Sequence, residues 1–383
     1  MTLFIYYFVM FMMVLWCYNT PQPSAMIAYR RFGSFKFLSI NLIPICIYSL
    51  FWGLRYQVGV DYPTYMEAYN YGITEYFEVG YLFIQGTLRA LDLPYPFIFI
   101  VTSFIIICSV TLLAKGRNGK FLALLMLFFW SSETIYFAQN GVRQMLALSM
   151  IFVAIQHLTD KKYYRAVVFC LLAFSFHTSS VIYSFLVSFV YIVTCVKEIS
   201  VNKYVVLGAY LFMELSGKLV SLPDLPFVSD IIVNLGYENK LDMIDNYDWD
   251  VKVSSGLGVI LRMFTNSVII LSQNRMLVDA DRLKKIFYWL FVIGAMLLPI
   301  LSSNLVMNRI LTYMVSANFV MYTFFCIDLW NGKIVSKRVS HILVIIFIIY
   351  NLGLLTKNSN TNGCKVYQTI FSPSNRTSTI LFK

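Results

Sequence analysis

Four short segments of the chain place arginine or histidine beside groups that could hold an anionic substrate. Arginine binds phosphate oxygens in a two-pronged geometry, and histidine can donate a hydrogen bond or carry a proton near neutral pH. The segments are Arg55–Tyr65, Gln139–Gln144, Ala173–Ser180 and Asn308–Tyr313. Together they predict phosphate or pyrophosphate chemistry, although each also has a simpler structural interpretation.

The first segment carries a positive and a negative side chain six residues apart. Arg55 is a candidate phosphate ligand, and Asp61 is a candidate hydrogen-bond acceptor or general base for a sugar hydroxyl. Gly59 lies between them and allows a tight turn. The alternative is an anchor at the membrane surface, because Tyr and Arg both collect there.

The second and fourth segments share one design, in which Asn precedes Arg at the expected start of a helix. Asn140 is expected to be the N-cap of a helix that has Arg143 at its third position. Asn308 is expected to cap the helix that carries Arg309 and Tyr313. A helix N-terminus with an arginine suits a pyrophosphate. The alternative is that these arginines extend to lipid headgroups or form pairs between helices.

His177 lies in the third segment, at the expected tip of a short helical hairpin. An ionisable side chain close to hydrocarbon needs a partner or a function, so His177 is a candidate phosphate donor or proton carrier. The alternative is a neutral histidine that binds a backbone carbonyl. Arg262 lies well inside a predicted membrane span and is a further candidate for the same anion site.

Carboxylates are also needed, to orient or deprotonate an acceptor hydroxyl. Besides Asp61, the sequence offers Glu78 and Glu133 as alternative acids. Glu214 is expected to form a structural pair with Lys218, four residues along the same helix.

A metal site has little support in the sequence. Asp248-Trp-Asp250 has the Asp-x-Asp form used for divalent cations, but seven acids within residues 224–250 make a chance match easy. The three histidines are too far apart for a metal-ligand spacing. We expect no cofactor, with Asp248 and Asp250 as the one candidate position for a divalent cation.

Membrane helices are the elements that must position these residues. Only 13% of the 383 residues are charged and 59% are hydrophobic, whereas a soluble domain has about 25% charged residues. Apolar stretches near the roughly 20 residues that cross a bilayer recur almost end to end. They predict an all-helical membrane protein, 1–383, with twelve spans at 3–18, 36–54, 96–114, 120–138, 141–158, 163–177, 178–196, 203–222, 256–274, 286–302, 310–329 and 339–355.

The charge of the connecting loops predicts the orientation of these spans. Apart from the C-terminal tail, one alternating set of loops carries three times as many Lys and Arg residues as the other, and the richer set should be cytoplasmic. An outer-face loop at 55–95, with an amphipathic segment near 79–91, and an acidic loop at 223–255 then lie outside. The net charge of +11 forms no single basic stripe, so nucleic acid is not an expected partner.

The order of these motifs resembles the EpsG-like family of polysaccharide polymerases, which is similar to the bacterial Wzy-type O-antigen polymerases. The resemblance runs from about residue 50 to residue 330. It is carried by Arg55 with Gly59-Val60-Asp61-Tyr62…Tyr65, Asn140-x-x-Arg143-Gln144, Phe176-His177-x-Ser179 and Asn308-Arg309…Tyr313. Val60 departs from the pattern, which has Thr at this position.

The resemblance implies a GT-C-like glycosyltransferase of the bacterial cytoplasmic (inner) membrane with its active face outward. Its substrate would be an oligosaccharide repeat unit on undecaprenyl pyrophosphate, and it would transfer the growing glycan onto the next unit. Arg143, His177 and Arg309 would hold the pyrophosphate with help from Arg55, and Asp61 would be the base. A chain-length regulator and a flippase are the expected protein partners.

Three other activities fit parts of this pattern. An O-antigen ligase uses the same donor lipid, but its main active loop is expected nearer the C-terminus. A flippase for lipid-linked sugars needs no general base, and its charges should line a cavity that reaches both faces. A membrane acyltransferase should show polar motifs that face the cytoplasm, and the sequence has none.

Overall fold

The computed structural model describes residues 2–20, 34–75, 77–216, 256–302, 305–361 and 363–371. These residues form helices, with one π-helical segment at Ile192–Val196, and contain no strand. A single β-bridge joins Arg55 and Thr369. The all-helical prediction is thus confirmed for the described part of the chain, whereas the acidic loop at 223–255 lies outside it.

The helices follow the predicted spans along the chain. The helices that begin before residue 182 are α1 Thr2–Asn19, α2 Ser34–Ile40, α3 Leu42–Gly53, α4 Tyr62–Tyr71, α5 Val79–Ala90, α6 Pro96–Leu112, α7 Gly119–Ser131, α8 Glu133–Phe137, α9 Val142–Thr159, α10 Tyr163–Phe176 and α11 Ser180–Tyr191. After it they are α12 Lys203–Ser216, α13 Leu257–Leu271, α14 Gln273–Leu277, α15 Arg282–Leu301, α16 Leu305–Val315, α17 Ala317–Trp330 and α18 Lys337–Asn358.

Many of these helices are apolar enough to cross a membrane. Helices α1, α9, α15 and α18 reach the length of a span, as does the stretch Met307–Trp330 formed by α16 and α17. Helices α2 and α3 make a sixth if this pair, bent by 74°, is one span. Five further apolar helices are 10–17 residues long. The chain is therefore a multi-pass membrane protein. Each of the twelve predicted spans contains a helix, but the number of spans stays a prediction.

Helix contacts divide the chain into two compact units, and the first comprises Met1–Val181 with Ile346–Lys383. Here α9 packs against α6 and α10, and α5 packs against α10. The approach of α5 to α10 is close because residue 80 is Gly. A Cβ atom at Gly80 would lie 2.6 Å from Ser175 Oγ and 2.9 Å from the Ser175 carbonyl oxygen. This contact brings the start of α5 to the end of α10.

A segment near the C-terminus stabilises the loop that follows α3 in this first unit. The N–H of Tyr56 donates to the carbonyl of Gln368 at 2.9 Å, and the N–H of Ile370 donates to the carbonyl of Leu54 at 3.0 Å. The Tyr367 ring stacks on Phe51 with centroids 4.2 Å apart. The loop that begins at Leu54 therefore lies between the end of α3 and residues 367–370.

The second unit comprises Ile182–Ile345 and is organised around α15. Helices α12, α16 and α17 and the π-helical segment all pack against α15. A buried ion pair between Lys284 and Asp328 joins α15 to α17. Asp281 caps α15 by accepting a hydrogen bond of 2.9 Å from the N–H of Lys284.

Candidate functional site

Three ionisable side chains from distant segments meet in the first unit. Glu78 pairs through one carboxylate oxygen with Arg143 Nη1. Its other oxygen accepts a hydrogen bond of 2.8 Å from Nδ1 of His177. The side chains are 19% (Glu78), 25% (Arg143) and 9% (His177) exposed. We name these three residues the Glu78 cluster. Its ionisable groups are mostly buried but keep some exposure to solvent.

Each member of the Glu78 cluster lies at the end of a helix. Glu78 is the N-cap residue of α5, but its carboxylate makes no capping bond to that helix. Arg143 is the second residue of α9, and His177 is the C-cap residue of α10. A helix N-terminus carries partial positive charge, so an arginine in the first turn is stabilised by an anion beside it. Glu78 supplies that anion here.

Aromatic side chains surround the guanidinium of Arg143. Its Cζ lies 4.9 Å from the centroid of the Phe77 ring, which is a cation–π geometry. Tyr81 stacks on Phe77 at 5.0 Å, and Tyr65 lies 5.5 Å from Tyr81. The Tyr65 hydroxyl also hydrogen-bonds to Arg143. These rings fix the direction of the guanidinium, which preorganises it to meet an anion.

The environment of Glu78 favours its ionised form. Burial alone would raise the pKa of Glu78, but the hydrogen bond from His177 and the charge of Arg143 outweigh it and lower that pKa. Glu78 is therefore a carboxylate at neutral pH and can accept a proton or a hydrogen bond. Because this oxygen accepts the bond, the proton lies on Nδ1 of His177, which leaves Nε2 on the opposite side of the ring.

Phe77 and Tyr81 were not among the predicted site residues, and Glu78 was placed second to Asp61. A signal for them was present in α5, where Tyr81, Gln85 and Leu88 are buried at helical spacing. This spacing puts Tyr81 on a packed face one turn after Glu78. Gly80 between them is the small residue that a close helix contact requires.

The structure places Arg55 among backbone carbonyls. Its side chain is 1% exposed, and its guanidinium lies 4.3 Å from the centroid of the Phe99 ring. Nη1 donates to the carbonyl of Trp52 at 2.6 Å, and Nε donates to that of Val58 at 3.1 Å. Nη2 reaches the carbonyl of Gln139 at 3.5 Å. These contacts support a structural role for Arg55 in shaping the loop after α3.

The predicted N-cap role of Asn140 is wrong, because Gly141 is the N-cap of α9 and Arg143 is the second helical residue rather than the third. The side-chain oxygen of Asn140 instead accepts hydrogen bonds from the N–H groups of Val60 at 2.5 Å and Asp61 at 3.3 Å. Asn140 therefore joins the loop before α4 to the start of α9. Asp61 is exposed and is the N-cap residue of α4, without a side-chain capping bond.

Arg262 lies in the second unit and has an acidic partner. Its Nη2 donates to the two carboxylate oxygens of Glu214 at 2.9 and 3.2 Å, and the Tyr210 hydroxyl donates to the first of them at 3.2 Å. Asn266 donates to Tyr210 at 3.2 Å. Lys218, the partner predicted for Glu214, lies outside the described residues. The contacts support a structural role for Arg262.

The fourth segment also belongs to the second unit. Helix α16 begins at Leu305, so Asn308 lies inside the helix and the predicted cap at Asn308 is wrong. Arg309 is half-buried on this helix. Tyr313 is fully buried, and its ring stacks on Tyr183 with centroids 5.6 Å apart.

The remaining candidates do not extend the cluster. Glu133 is the first residue of α8, in the first unit, and its side chain is exposed. Asp248 and Asp250 lie outside the described residues. Within the described ranges, no group of three His, Cys, Asp or Glu side chains could hold a metal ion.

Comparison with known proteins places the chain in a family. The model of the EpsG family matches residues 38–369, which include all three members of the Glu78 cluster. No curated protein and no solved structure matches the chain. Because the family match covers most of the sequence, the chain belongs to the EpsG family, whose members are membrane proteins of polysaccharide biosynthesis.

Proposed function

We propose that this protein is a polymerase that joins oligosaccharide repeat units carried on undecaprenyl pyrophosphate. The reaction is glycosyl transfer at the outer face of the bacterial cytoplasmic membrane. The family match and the many apolar helices support the general assignment. The observation that supports the specific assignment as a polymerase is the Glu78 cluster, in which a carboxylate, a guanidinium and an imidazole lie together.

Each group of the cluster has a role in such a transfer. The hydroxyl oxygen of the incoming unit attacks the anomeric carbon of the growing glycan, and the bond from that carbon to the pyrophosphate oxygen breaks. The pyrophosphate keeps the electron pair, and Arg143 and His177 stabilise the charge that develops on it. Glu78 accepts the proton from the attacking hydroxyl. Because Glu78 also pairs with Arg143 and His177, the arriving pyrophosphate would take over contacts that now go to Glu78.

Glu78 is a better candidate for the base than Asp61. Its carboxylate is partly enclosed and contacts both proposed pyrophosphate ligands. Asp61 is exposed at the start of α4 and makes no side-chain capping bond there. We therefore assign the role of base to Glu78 rather than to Asp61.

The contacts also agree with the proposed orientation. The alternation of loop charge puts the loop at 55–95, the start of α9 and the hairpin tip at His177 on one side of the membrane, the outer side. The contacts among Glu78, Arg143 and His177 support this orientation, because side chains that touch must lie at one depth. Twelve spans are proposed from the apolar runs and the loop charge, and the GT-C type is proposed from the resemblance to the family. Arg309 and Tyr313 stay candidate ligands predicted from the sequence.

Deletion of the gene in its host tests this function, with the surface polysaccharide resolved on a gel. A polymerase deletion should collapse the long ladder to lipid core that carries a single repeat unit, because units still cross the membrane and are still ligated. If no repeat unit reaches the core, the protein is a flippase or a ligase instead. Complementation with the intact gene should restore the ladder.

A further inference from the structure

We propose that three buried hydroxyl groups, those of Tyr81, Ser179 and Ser180, donate hydrogen bonds to phosphate oxygens of the lipid pyrophosphate. This inference rests on the proposed function and adds direct ligands to the Glu78 cluster. The three hydroxyls lie on the two segments that carry Glu78 and His177. We call them the hydroxyl set.

The hydroxyl set is buried and lacks protein partners. None of its three oxygen atoms has a hydrogen-bond partner within the residues that the structure describes. Tyr81 and Ser180 are both 0% exposed. Buried polar groups in folded proteins are nearly always hydrogen-bonded, so each exception calls for a bound water or a ligand. Here the exceptions occur together on the segments of one site.

Tyr81 is tied to the cluster by its ring. It lies one turn after Glu78 on α5 and stacks on Phe77, the ring that contacts the guanidinium of Arg143. Its hydroxyl is within electrostatic range of Arg143. An anion that binds Arg143 would therefore lie close to the Tyr81 hydroxyl.

The two serines lie near the cluster because they follow His177 closely in the sequence. Ser179 and Ser180 follow His177 after a single intervening residue, and α11 begins at Ser180. The chain turns tightly there, because the N–H of Ser180 donates to the carbonyl of His177 at 3.1 Å. The serines thus combine hydroxyl donors with the positive end of a helix that is 12 residues long.

The surroundings indicate which chemistry the partner has. Arginine offers only donors, and a histidine whose Nδ1 proton goes to Glu78 can present Nε2 to a second partner. A ligand that satisfies these groups and three hydroxyl donors must supply several acceptor oxygens close together. A pyrophosphate supplies them on two adjacent phosphorus atoms, with negative charge. On α5 the side-chain oxygen of Gln85 also lacks a partner among the described residues, whereas the orphaned indole nitrogens of Trp52 and Trp130 lie on other helices.

Binding of farnesyl pyrophosphate and of farnesol to the purified full chain in nanodiscs tests the proposal. The first probe carries a pyrophosphate on a short prenyl chain, and the second carries the same chain with an alcohol. Tyr81→Phe, Ser179→Ala and Ser180→Ala should each weaken farnesyl pyrophosphate binding about tenfold, the usual effect of one hydrogen bond to a charged group. Binding of farnesol should not change.

Two matched controls remove hydroxyls that have protein partners. Tyr69→Phe deletes a hydroxyl that donates to the carbonyl of Leu93 at 2.6 Å, and Ser175→Ala deletes one that donates to Leu172 at 2.7 Å. Both should bind farnesyl pyrophosphate as the wild type does.

The outcomes separate this inference from the proposed function. If the wild type prefers the pyrophosphate but all three hydroxyl variants bind it unchanged, the inference is overturned and the function stands. Equal weakening of both probes assigns the hydroxyls to structure and also overturns it. A wild type that does not prefer farnesyl pyrophosphate over farnesol contradicts the proposed function together with the inference.

Discussion

The two units each contain an arginine–glutamate pair, and the pairs differ in ways that suggest different roles. Arg143 and Glu78 lie at helix ends, with Glu78 19% exposed and shared with His177. Arg262 and Glu214 lie within α13 and α12, and Glu214 is 2% exposed. Tyr210 completes the second pair with a hydroxyl donor. The buried carboxylate of Glu214 has the features of a structural link, whereas the carboxylate of Glu78 is more exposed and is shared with a third ionisable group.

Physical chemistry explains why this difference matters. A buried pair satisfied by its own neighbours resists exchange, because removal of one partner leaves an uncompensated charge. A pair at helix ends beside a third titratable group can exchange one partner for a substrate anion. The comparison therefore predicts that variants of the first pair lose activity and that variants of the second pair lose stability.

The largest effect is expected from Arg143→Lys. Lysine keeps the positive charge but loses the planar two-pronged geometry that matches a phosphate. Polymerisation should fall about 100-fold, as it does when one preorganised donor to a developing anion is lost. Polysaccharide chain length in the complemented deletion strain, at matched protein levels in the membrane, measures this. Normal chain length would count against the pyrophosphate role of Arg143.

Gly80→Ala tests whether the contact between α5 and α10 positions the cluster. The new Cβ would lie 2.6 Å from Ser175 Oγ and 2.9 Å from the Ser175 carbonyl, so the helices must separate. Glu78 and His177 should then move apart, and polymerisation should fall about tenfold. Gly86→Ala is the control on the same helix, since its Cβ would meet nothing within 4 Å. Equal activity of the two variants would show that the contact does not matter.

Glu214→Gln tests the comparison of the two arginine–glutamate pairs from the side of the second unit. It leaves Arg262 without its charged partner, so the unfolding free energy should fall by about 3 kcal/mol. Activity per folded molecule should stay near the wild-type level. Adding Arg262→Gln should recover part of the lost stability, because neither charge is then unpaired. Thermal unfolding in detergent and the polysaccharide ladder provide the two readouts, and a stable but inactive Glu214→Gln protein would contradict this reading.

A smaller effect is expected from pH. The folded pKa of Glu78 is lowered, so its ionisation stabilises the fold at pH values above the ordinary carboxyl pKa of about 4.3. This contribution should be lost as pH falls through the folded pKa. The wild type should therefore unfold at a higher temperature than Glu78→Gln at pH 7, and the gap should shrink below about pH 4. A gap that stays constant with pH would argue against an ionised Glu78 in the cluster.

Local sequence patterns predicted the helices and two members of the cluster well. Apolar runs are a local property of the chain, and each predicted span contains a helix. Arg143 and His177 stood out because charged residues are rare beside such runs. The role of Glu78 was harder to predict, since it depends on contacts with residues that lie 65 and 99 positions away along the chain.

The errors also have physical causes. Asn140 looked like an N-cap because Asn is favoured there, but its oxygen accepts hydrogen bonds from a loop 80 positions away instead. For Asn140 a long-range contact, which spacing cannot reveal, decides the role of the side chain. The ligand role of Arg55 stays a prediction; in the structure a turn of the backbone surrounds its guanidinium with carbonyls.

The most direct test of the central claim compares Glu78→Gln with Glu214→Gln in the deletion strain. Both changes remove one carboxylate charge and preserve the size of the side chain. At matched levels of protein in the membrane, Glu78→Gln should give lipid core with a single repeat unit, and Glu214→Gln should give the long ladder. A long ladder from Glu78→Gln would contradict the assignment of the Glu78 cluster as the site of glycosyl transfer.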